Sequence, residues 1–514
     1  MRVDTPALQI PIVRAVYASL DEETACGGLV TRLRRTRFSK PSRPPGLPED
    51  LPSPLPRHYD SQMPTTLSST NRDLDLRHLW HGNVQHQGLD QRPPLEIDRA
   101  DDVWVWDLEG RRYLDAMAGL WCVNVGYGRR EIVDAVSSQM ARLPYYPLTQ
   151  SHGPAAQLAA RLTSLLPDEL SRVFFLNSGS EAVETALKMA RQYARRAHPG
   201  QNRYKIISRY RAYHGFTMGA LSATGQVLRK QAFEPLVPGF LHVAPPDNYR
   251  CNFCSGEPCC TLVCADEFDR VIRMEGPESV AAVILEPVIG GGGVLPAPDG
   301  YLERAREICD RYGVLLILDE VITGFGRTGK LFGFEHAGVR PDILTVAKGL
   351  TSGYLPLAAA VTTDEVFAAF NSDTDETAKF AQVSTFGGHP CSCAAGLANL
   401  DILTRERLWE NSARMGAYLI DRLRGLKAKS IGEVRGRGLL VGLEMTAGDS
   451  RTPMPEAQVV RIQKAVREAG VLIGRNNDTV PGLSNVLTLS PPLTLATEGV
   501  DIIVTAIEKA IAQV

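Results

Sequence analysis

The sequence carries very little net charge: 56 Lys and Arg against 58 Asp and Glu leave a formal value of -2, which provides no electrostatic footprint for nucleic acid. Long hydrophobic runs are missing too. The longest apolar stretches, such as residues 314–318 and 357–361, fall far short of the roughly 20 residues a membrane helix needs. They read as buried strands. Ten cysteines in 514 residues is not the density of a disulfide scaffold, and no apolar segment of signal type opens the sequence. A reducing cytoplasm is therefore expected. No internal repeat of fixed period occurs. What remains is the composition of a globular protein, 44% hydrophobic and 22% charged, for which a small-molecule partner is the better expectation than nucleic acid or membrane.

Residues 1–62 differ from the rest. Arg32, Arg34, Arg35 and Arg37 lie in an Arg/Ser stretch, followed by Pro41, Pro44, Pro45, Pro48, Pro52, Pro54 and Pro56. Such a segment buries little and is expected to be loosely ordered. Its arginines suit a transit peptide, Asp21, Glu22 and Glu23 oppose that reading, and Met63 is an alternative start, so a dispensable extension is the expectation. Residues 95–116 read as a hairpin turning at Glu109-Gly110, and a helix is expected over 129–142. Strands and helices then alternate: strand 173–176, helix 180–196, strands 205–208 and 281–285, helix 301–312, strand 314–318. This rhythm predicts a mainly parallel sheet with helices on both faces. Beyond Pro390 come a long helical region, a strand over 438–444, a helix over 455–469, a strand over 486–489 and a last helix from Thr497. A chain of this length exceeds one core. The expected division is an extension over 1–62, the N-terminal part of a small domain over 63–130, a large domain over 131–390 and a C-terminal small α+β domain over 391–514.

Three segments carry the chemistry. Asn177-Ser178-Gly179-Ser180-Glu181 joins a strand to an amphipathic helix, so its backbone N–H groups would face outward at the helix start as a phosphate cradle; capping alone would also explain Ser180. Leu316-Ile317-Leu318-Asp319-Glu320-Val321 sets two carboxylates at the C-terminal end of a buried strand, the edge where open α/β sheets bind ligands. A buried Asp there needs a cationic partner such as a protonated heterocycle, or serves as a helix cap or metal ligand. Thr345-Val346-Ala347-Lys348-Gly349 follows another apolar run. A lysine at that edge, partly desolvated, tends toward the nucleophilic free amine. An anion site, a partner for a pyridinium nitrogen and an imine-forming amine are together the requirements of pyridoxal phosphate.

Here the chain resembles the class III pyridoxal-phosphate aminotransferases, from about His78 to the C-terminus. The resemblance rests on Ser178-Gly179-Ser180-Glu181-Ala182, Tyr213-His214-Gly215, Leu285-Glu286-Pro287, Asp319-Glu320-Val321, Gly324-Phe325-Gly326-Arg327-Thr328-Gly329, Ala347-Lys348-Gly349 and Thr385-Phe386-Gly387-Gly388-His389-Pro390. It implies fold type I of the pyridoxal-phosphate transferases, α/β, with a mainly parallel seven-stranded sheet in the large domain and a smaller α+β domain. It also implies site roles. Gly179 and Ser180 would hold the phosphate, Tyr213 would stack on the ring with Val321 on its other face, and Asp319 would pair with the ring nitrogen. Lys348 would bond the cofactor and shuttle the proton, and Thr385 would reach the phosphate of a neighbouring subunit, in a homodimer or dimer of dimers with shared active sites. Val183 stands where an Asn is common. The runs 119–128, 145–148 and 473–479 look like the ω-amino acid:pyruvate subgroup, and most like taurine:pyruvate aminotransferases. Trp121 would then wall the pocket, and Arg475 is a candidate clamp for the acid group, although the subgroup arginine often sits where this chain has Gly474. Expected partners are an amine donor, such as taurine or β-alanine, and pyruvate or another 2-oxo acid. A decarboxylase or aminomutase on the same fold, and more remotely a non-catalytic binding protein, are the alternatives.

Two other patterns compete for attention. Gly324 to Gly329 satisfies the dinucleotide fingerprint, and the same residues through Lys330 have P-loop spacing. The first must open a helix, which residues 330–338 do not suggest, and the second needs a hydroxyl where Leu331 stands. Cys251, Cys254, Cys259, Cys260 and Cys264 form a cluster with one C-x-x-C knuckle and no matched second. They are reduced loop thiols or the ligands of one structural zinc; no catalytic metal is expected. His214 and His389 are expected to be structural, and Glu286 to hydrogen-bond near the pocket or gate an arginine.

Overall fold

Seven short aliphatic runs build the central sheet: β1 Arg172–Leu176, β2 Lys205–Arg209, β3 Phe240–Val243, β4 Val280–Leu285, β5 Leu315–Asp319, β6 Ile343–Val346 and β7 Ala358–Thr362. The computed structural model describes residues 68–91, 93–251, 253–254, 260–448 and 450–513; the extension expected over 1–62 and Cys259 lie outside them. The chain divides into two compact units, Met1–Asp73 and Leu74–Val514, and all the sheets belong to the second. Of the first, only residues 68–73 are described, within the helix Ser68–His78.

The sheet order is β1-β7-β6-β5-β4-β2-β3. Strand β7 runs antiparallel to β1 and β6, and the other pairs are parallel. Every residue of β4, β5, β6 and β7 is buried, as a sheet covered on both faces requires. The period-2 alternation of strands divides their side chains. Ile206, Ile284 and Ile317 pack with Val183, Ala186 and Ala190 of the helix Gly179–Ala197 on one face. Ile207, Val283, Leu285, Leu316 and Leu318 join Phe268 and Ile308, from the helices Val263–Glu275 and Tyr301–Tyr312, on the other. Each such aliphatic side chain contributes about 1.5–3 kcal/mol by leaving water. Val183, where an Asn is common, is one of these core residues.

Two four-stranded sheets flank this core. One orders Ile97–Asp101, Trp104–Asp107, Arg112–Asp115 and Val471–Leu472, and the other Ile431–Arg437, Leu440–Met445, Val486–Leu489 and Gly474–Arg475. The first joins the N-terminal hairpin to a C-terminal strand that runs parallel to its last member. The hairpin does turn at Glu109-Gly110, with Gly110 at φ +77°, and it gains the additional strand Ile97–Asp101. The long helical region after Pro390 is two helices, Pro390–Arg405 and Leu408–Arg424, broken at Arg407, whose φ is +48°. The fingerprint-like run from Gly324 opens no helix; it continues in turns to a single 3-10 turn, Gly333–His336.

Candidate active site

The C-terminal ends of β1, β2, β4, β5 and β6 meet at one edge of the sheet. A cavity of about 400 Å³ there is lined by Gly179, Ser180, Tyr213, Glu286, Asp319, Val321 and Lys348, among others. The phosphate-cradle segment follows β1. Ser178 caps the 19-residue helix by accepting from the Glu181 N–H, while the Glu181 carboxylate accepts from Asn177 N at 2.7 Å and Ser178 N at 3.2 Å. This capping box leaves the N–H groups of Gly179 and Ser180 with no acceptor among the described residues. They face the cavity at the positive end of a long helix, the arrangement that binds an anion. Gly179 is required by close approach: a Cβ there would lie 2.8 Å from Val321 Cγ1. Ser180 Oγ accepts from Phe216 N at 3.1 Å, which ties the cradle to the Tyr213-His214-Gly215 loop.

Asp319 ends β5 and is 4% exposed. One carboxylate oxygen accepts from Val321 N at 3.1 Å, and the other lies 2.8 Å from His214 Nδ1, which donates to it. The His214 Nε2 is buried without a partner. A carboxylate fixed in this way can face a cationic ring nitrogen. Glu320, the adjacent carboxylate, serves differently: it accepts from the Thr323 hydroxyl at 2.5 Å, Gly333 N at 2.9 Å and Phe334 N at 2.7 Å. It therefore holds the loop 320–334 in place. Burial pushes its carboxyl up to about 7, against these hydrogen bonds.

Lys348 follows β6 with a left-handed backbone, φ +41°, a conformation that costs a non-glycine residue about 1–3 kcal/mol and tends to cluster at functional sites. Its amine has no hydrogen-bond or ion-pair partner among the described residues. Burial holds it below the usual lysine range, opposed by the Cys122 thiol and by the Asp319 and Glu286 carboxyls. Glu286, at the end of β4, accepts from Tyr213 N and Gly290 N, each at 3.0 Å, so the buried carboxylate fixes the backbone that presents Tyr213. Burial raises its own carboxyl. The cavity thus offers two free backbone donors, an aromatic and an aliphatic wall in Tyr213 and Val321, a buried carboxylate and an amine without a partner among the described residues. These residues fit pyridoxal phosphate.

The substrate-side expectations fare differently. Trp121 does not line the cavity. It packs behind the wall with Met117, Val288 and Ile322, while its neighbours Leu120 and Cys122 form the lining; a left-handed backbone at Ala118, Gly119 and Trp121 turns the indole away. Arg475 is also outside it, donating to Glu456 Oε1 at 2.6 Å, a carboxylate 19 residues upstream that no motif marks. Thr385 is exposed and does not line the cavity of its own chain; its carbonyl accepts from the Tyr145 hydroxyl at 2.8 Å. His389 caps the helix that begins at Pro390 through an Nδ1 that accepts from Cys391 N. Among the described residues no three His, Cys, Asp or Glu side chains are placed to hold a metal ion. The sequence reading missed Phe216 and Leu355, which line the cavity, and Arg229, whose guanidinium carbon lies 5.3 Å from the centre of the Tyr213 ring.

Known proteins share this arrangement's sequence and fold. Residues 86–511 match the class-III aminotransferase family. The chain is 48% identical to the uncharacterized aminotransferase YhxA of Bacillus subtilis, over 85% of this chain and 96% of that protein. It is 43% identical to a taurine–pyruvate aminotransferase of Bilophila wadsworthia, over 86% and 96%. A crystal structure of a Bacillus anthracis aminotransferase superposes with a TM-score of 0.83 at 42% identity, covering 88% of this chain and all of the other. The cavity at the strand ends, the lysine within it and these likenesses lead to one conclusion: the chain belongs to the class III aminotransferases, enzymes of fold type I that use pyridoxal phosphate to move an amino group from an amine to an oxo acid.

Proposed function

We propose that the donor is a short ω-amino acid or amine, such as taurine or β-alanine, and that pyruvate or another 2-oxo acid takes the amino group. The observation that carries this reading is the 43% identity to a taurine–pyruvate aminotransferase over 96% of its length, together with the order of the groups in the cavity. When bound, pyridoxal phosphate supplies the electron sink that lets a bond at the donor carbon break. The chain's residues do the rest. Gly179 and Ser180 bind the phosphate through backbone N–H groups, and Tyr213 and Val321 hold the ring between them. Asp319, fixed by His214, faces the ring nitrogen and keeps it protonated. The Lys348 amine anchors the cofactor and carries the proton to and from the donor carbon, a role for which its lowered basicity suits it.

Dimerisation belongs to the same reading. Leu120 and Phe216, which line the cavity, are 73% and 69% exposed, and Phe386 and Tyr146, outside its lining, are also exposed; large exposed apolar side chains of this kind can mark an interface. A second copy covering them would bring its own Thr385 toward the phosphate cradle. No described helix is long and apolar enough to cross a membrane, and a cytoplasmic location completes the proposal. The test is a donor panel. Purified protein with added cofactor and pyruvate should form alanine from taurine, β-alanine or simple amines, and no alanine from any of them would overturn the substrate assignment.

A further inference from the structure

The cavity's cation balance is incomplete once Arg475 is assigned to Glu456, because a donor with an acid group at its far end needs a counter-charge near the mouth. Arg229 lies beside the cavity, outside its lining but against a residue of its wall. It lies in a single helical turn, Val227–Lys230, and its guanidinium packs on Tyr213, a residue that lines the cavity. Nε donates to the Gln226 side-chain oxygen at 2.8 Å and Nη2 to the Asn477 carbonyl at 3.3 Å, while Nη1 has no acceptor among the described residues. Leu228 N also donates to Thr479 O at 3.3 Å, so this turn is tied to residues 477–479, part of the run 473–479 that resembles the ω-amino acid:pyruvate subgroup. No described carboxylate forms an ion pair with Arg229. The nearby Asp478 instead accepts from Asn83 at 2.8 Å and Asn477 at 2.7 Å. The result is a positioned guanidinium, fixed by two hydrogen bonds and a ring, with its charge uncompensated.

We propose that Arg229 binds the acid end of the donor, the sulfonate of a short aminosulfonate or the carboxylate of a short ω-amino acid, and so determines specificity for acid-bearing donors. This inference rests on the donor class proposed above. A guanidinium held in this way meets a carboxylate or sulfonate through paired hydrogen bonds, and packing against Tyr213 keeps the fork near the ring-binding slot. Gln226 and the Asn477 carbonyl act as positioning groups, because they hold the guanidinium without neutralising it.

The experiment measures single-turnover half-reactions of the holoenzyme, which are independent of the acceptor, with taurine, β-alanine and the neutral donor propylamine. The Arg229→Gln variant should raise the apparent Kd for taurine and β-alanine about 10–100-fold, the loss expected for a charge-assisted pair, and leave propylamine within about 2-fold. Arg229→Lys should recover part of the loss, and Arg475→Ala should change none of the three donors. Calorimetry of the holoenzyme with isethionate, an unreactive sulfonate, gives a second readout: wild type binds and Arg229→Gln does not. Loss of all three donors together would mean that Arg229 only supports Tyr213, and unchanged acid donors would mean that it does not touch them; either overturns the inference while leaving the donor class intact. Wild-type activity with propylamine alone would remove acid-bearing donors and overturn this inference while leaving amines as donors, whereas no activity with any donor would overturn the donor class itself.

Discussion

The two sides of the cavity are built on different principles. On the cofactor side the groups follow sheet strands, and all but the Lys348 amine are held by neighbours of fixed geometry: Asp319 by His214 and Val321, Tyr213 by Glu286, and the cradle by its capping box. On the donor side the groups come from turns and from the segment 473–479. Their positions depend on contacts such as that of Arg229 with Asn477, 248 residues further along the chain. A sheet edge fixes a reacting atom well, since several strands share its position, whereas a rim of turns can change its ligand without disturbing the core.

Substitutions should follow that division. Lys348→Ala removes the proposed anchor and proton carrier, and the turnover rate should fall by at least about 10³–10⁴-fold with the fold unchanged by circular dichroism. Asp319→Asn keeps the shape and removes the negative charge proposed to face the ring nitrogen; the expected loss is about 10²–10³-fold in kcat/KM, with weaker retention of cofactor on dialysis. Both exceed anything expected at the rim, where the Arg229→Gln effect is confined to acid-bearing donors.

The smallest effect concerns Glu320 and stability. Its folded carboxyl is raised to about 7 from an ordinary 4.5, so the folded state binds more protons than the unfolded state between those values. The stabilisation from this group is complete below pH 4.5 and is lost as pH rises toward 7, an amount of about 3 kcal/mol. Denaturant midpoints of wild type against Glu320→Gln should show the stability difference shrinking across that range. A difference that grew with pH would show instead that the hydrogen bonds from Thr323, Gly333 and Phe334 keep the carboxylate ionised.

Legibility in the sequence follows the same boundary. Runs such as Leu316-Ile317-Leu318 before Asp319 announce a buried strand and its functional terminus together, since apolar periodicity and a charged end coincide. Strand Ile431–Arg437 could not be read that way: Gly432, Gly436 and three charged residues give it the pattern of a loop, and it is a strand because Leu440–Met445 pairs with it. Strand Phe240–Val243, half-buried at the sheet edge, lacks a continuous apolar run for the same reason. In the site, Lys348, Asp319 and Gly179 carry local signals, whereas Arg229 is one of 56 basic residues, and only its distance to Tyr213 distinguishes it. Arg475 carried a local signal too, and its bond to Glu456, outside the cavity, is a contact that no motif announces.

The central claim is that Lys348 is the residue that bonds the cofactor. Borohydride reduction of the holoenzyme followed by peptide mass spectrometry tests it directly. One phosphopyridoxyl group per chain is expected, on the peptide containing Lys348. A label on another lysine, such as Lys330, or no label on a protein that still retains the cofactor, would contradict it.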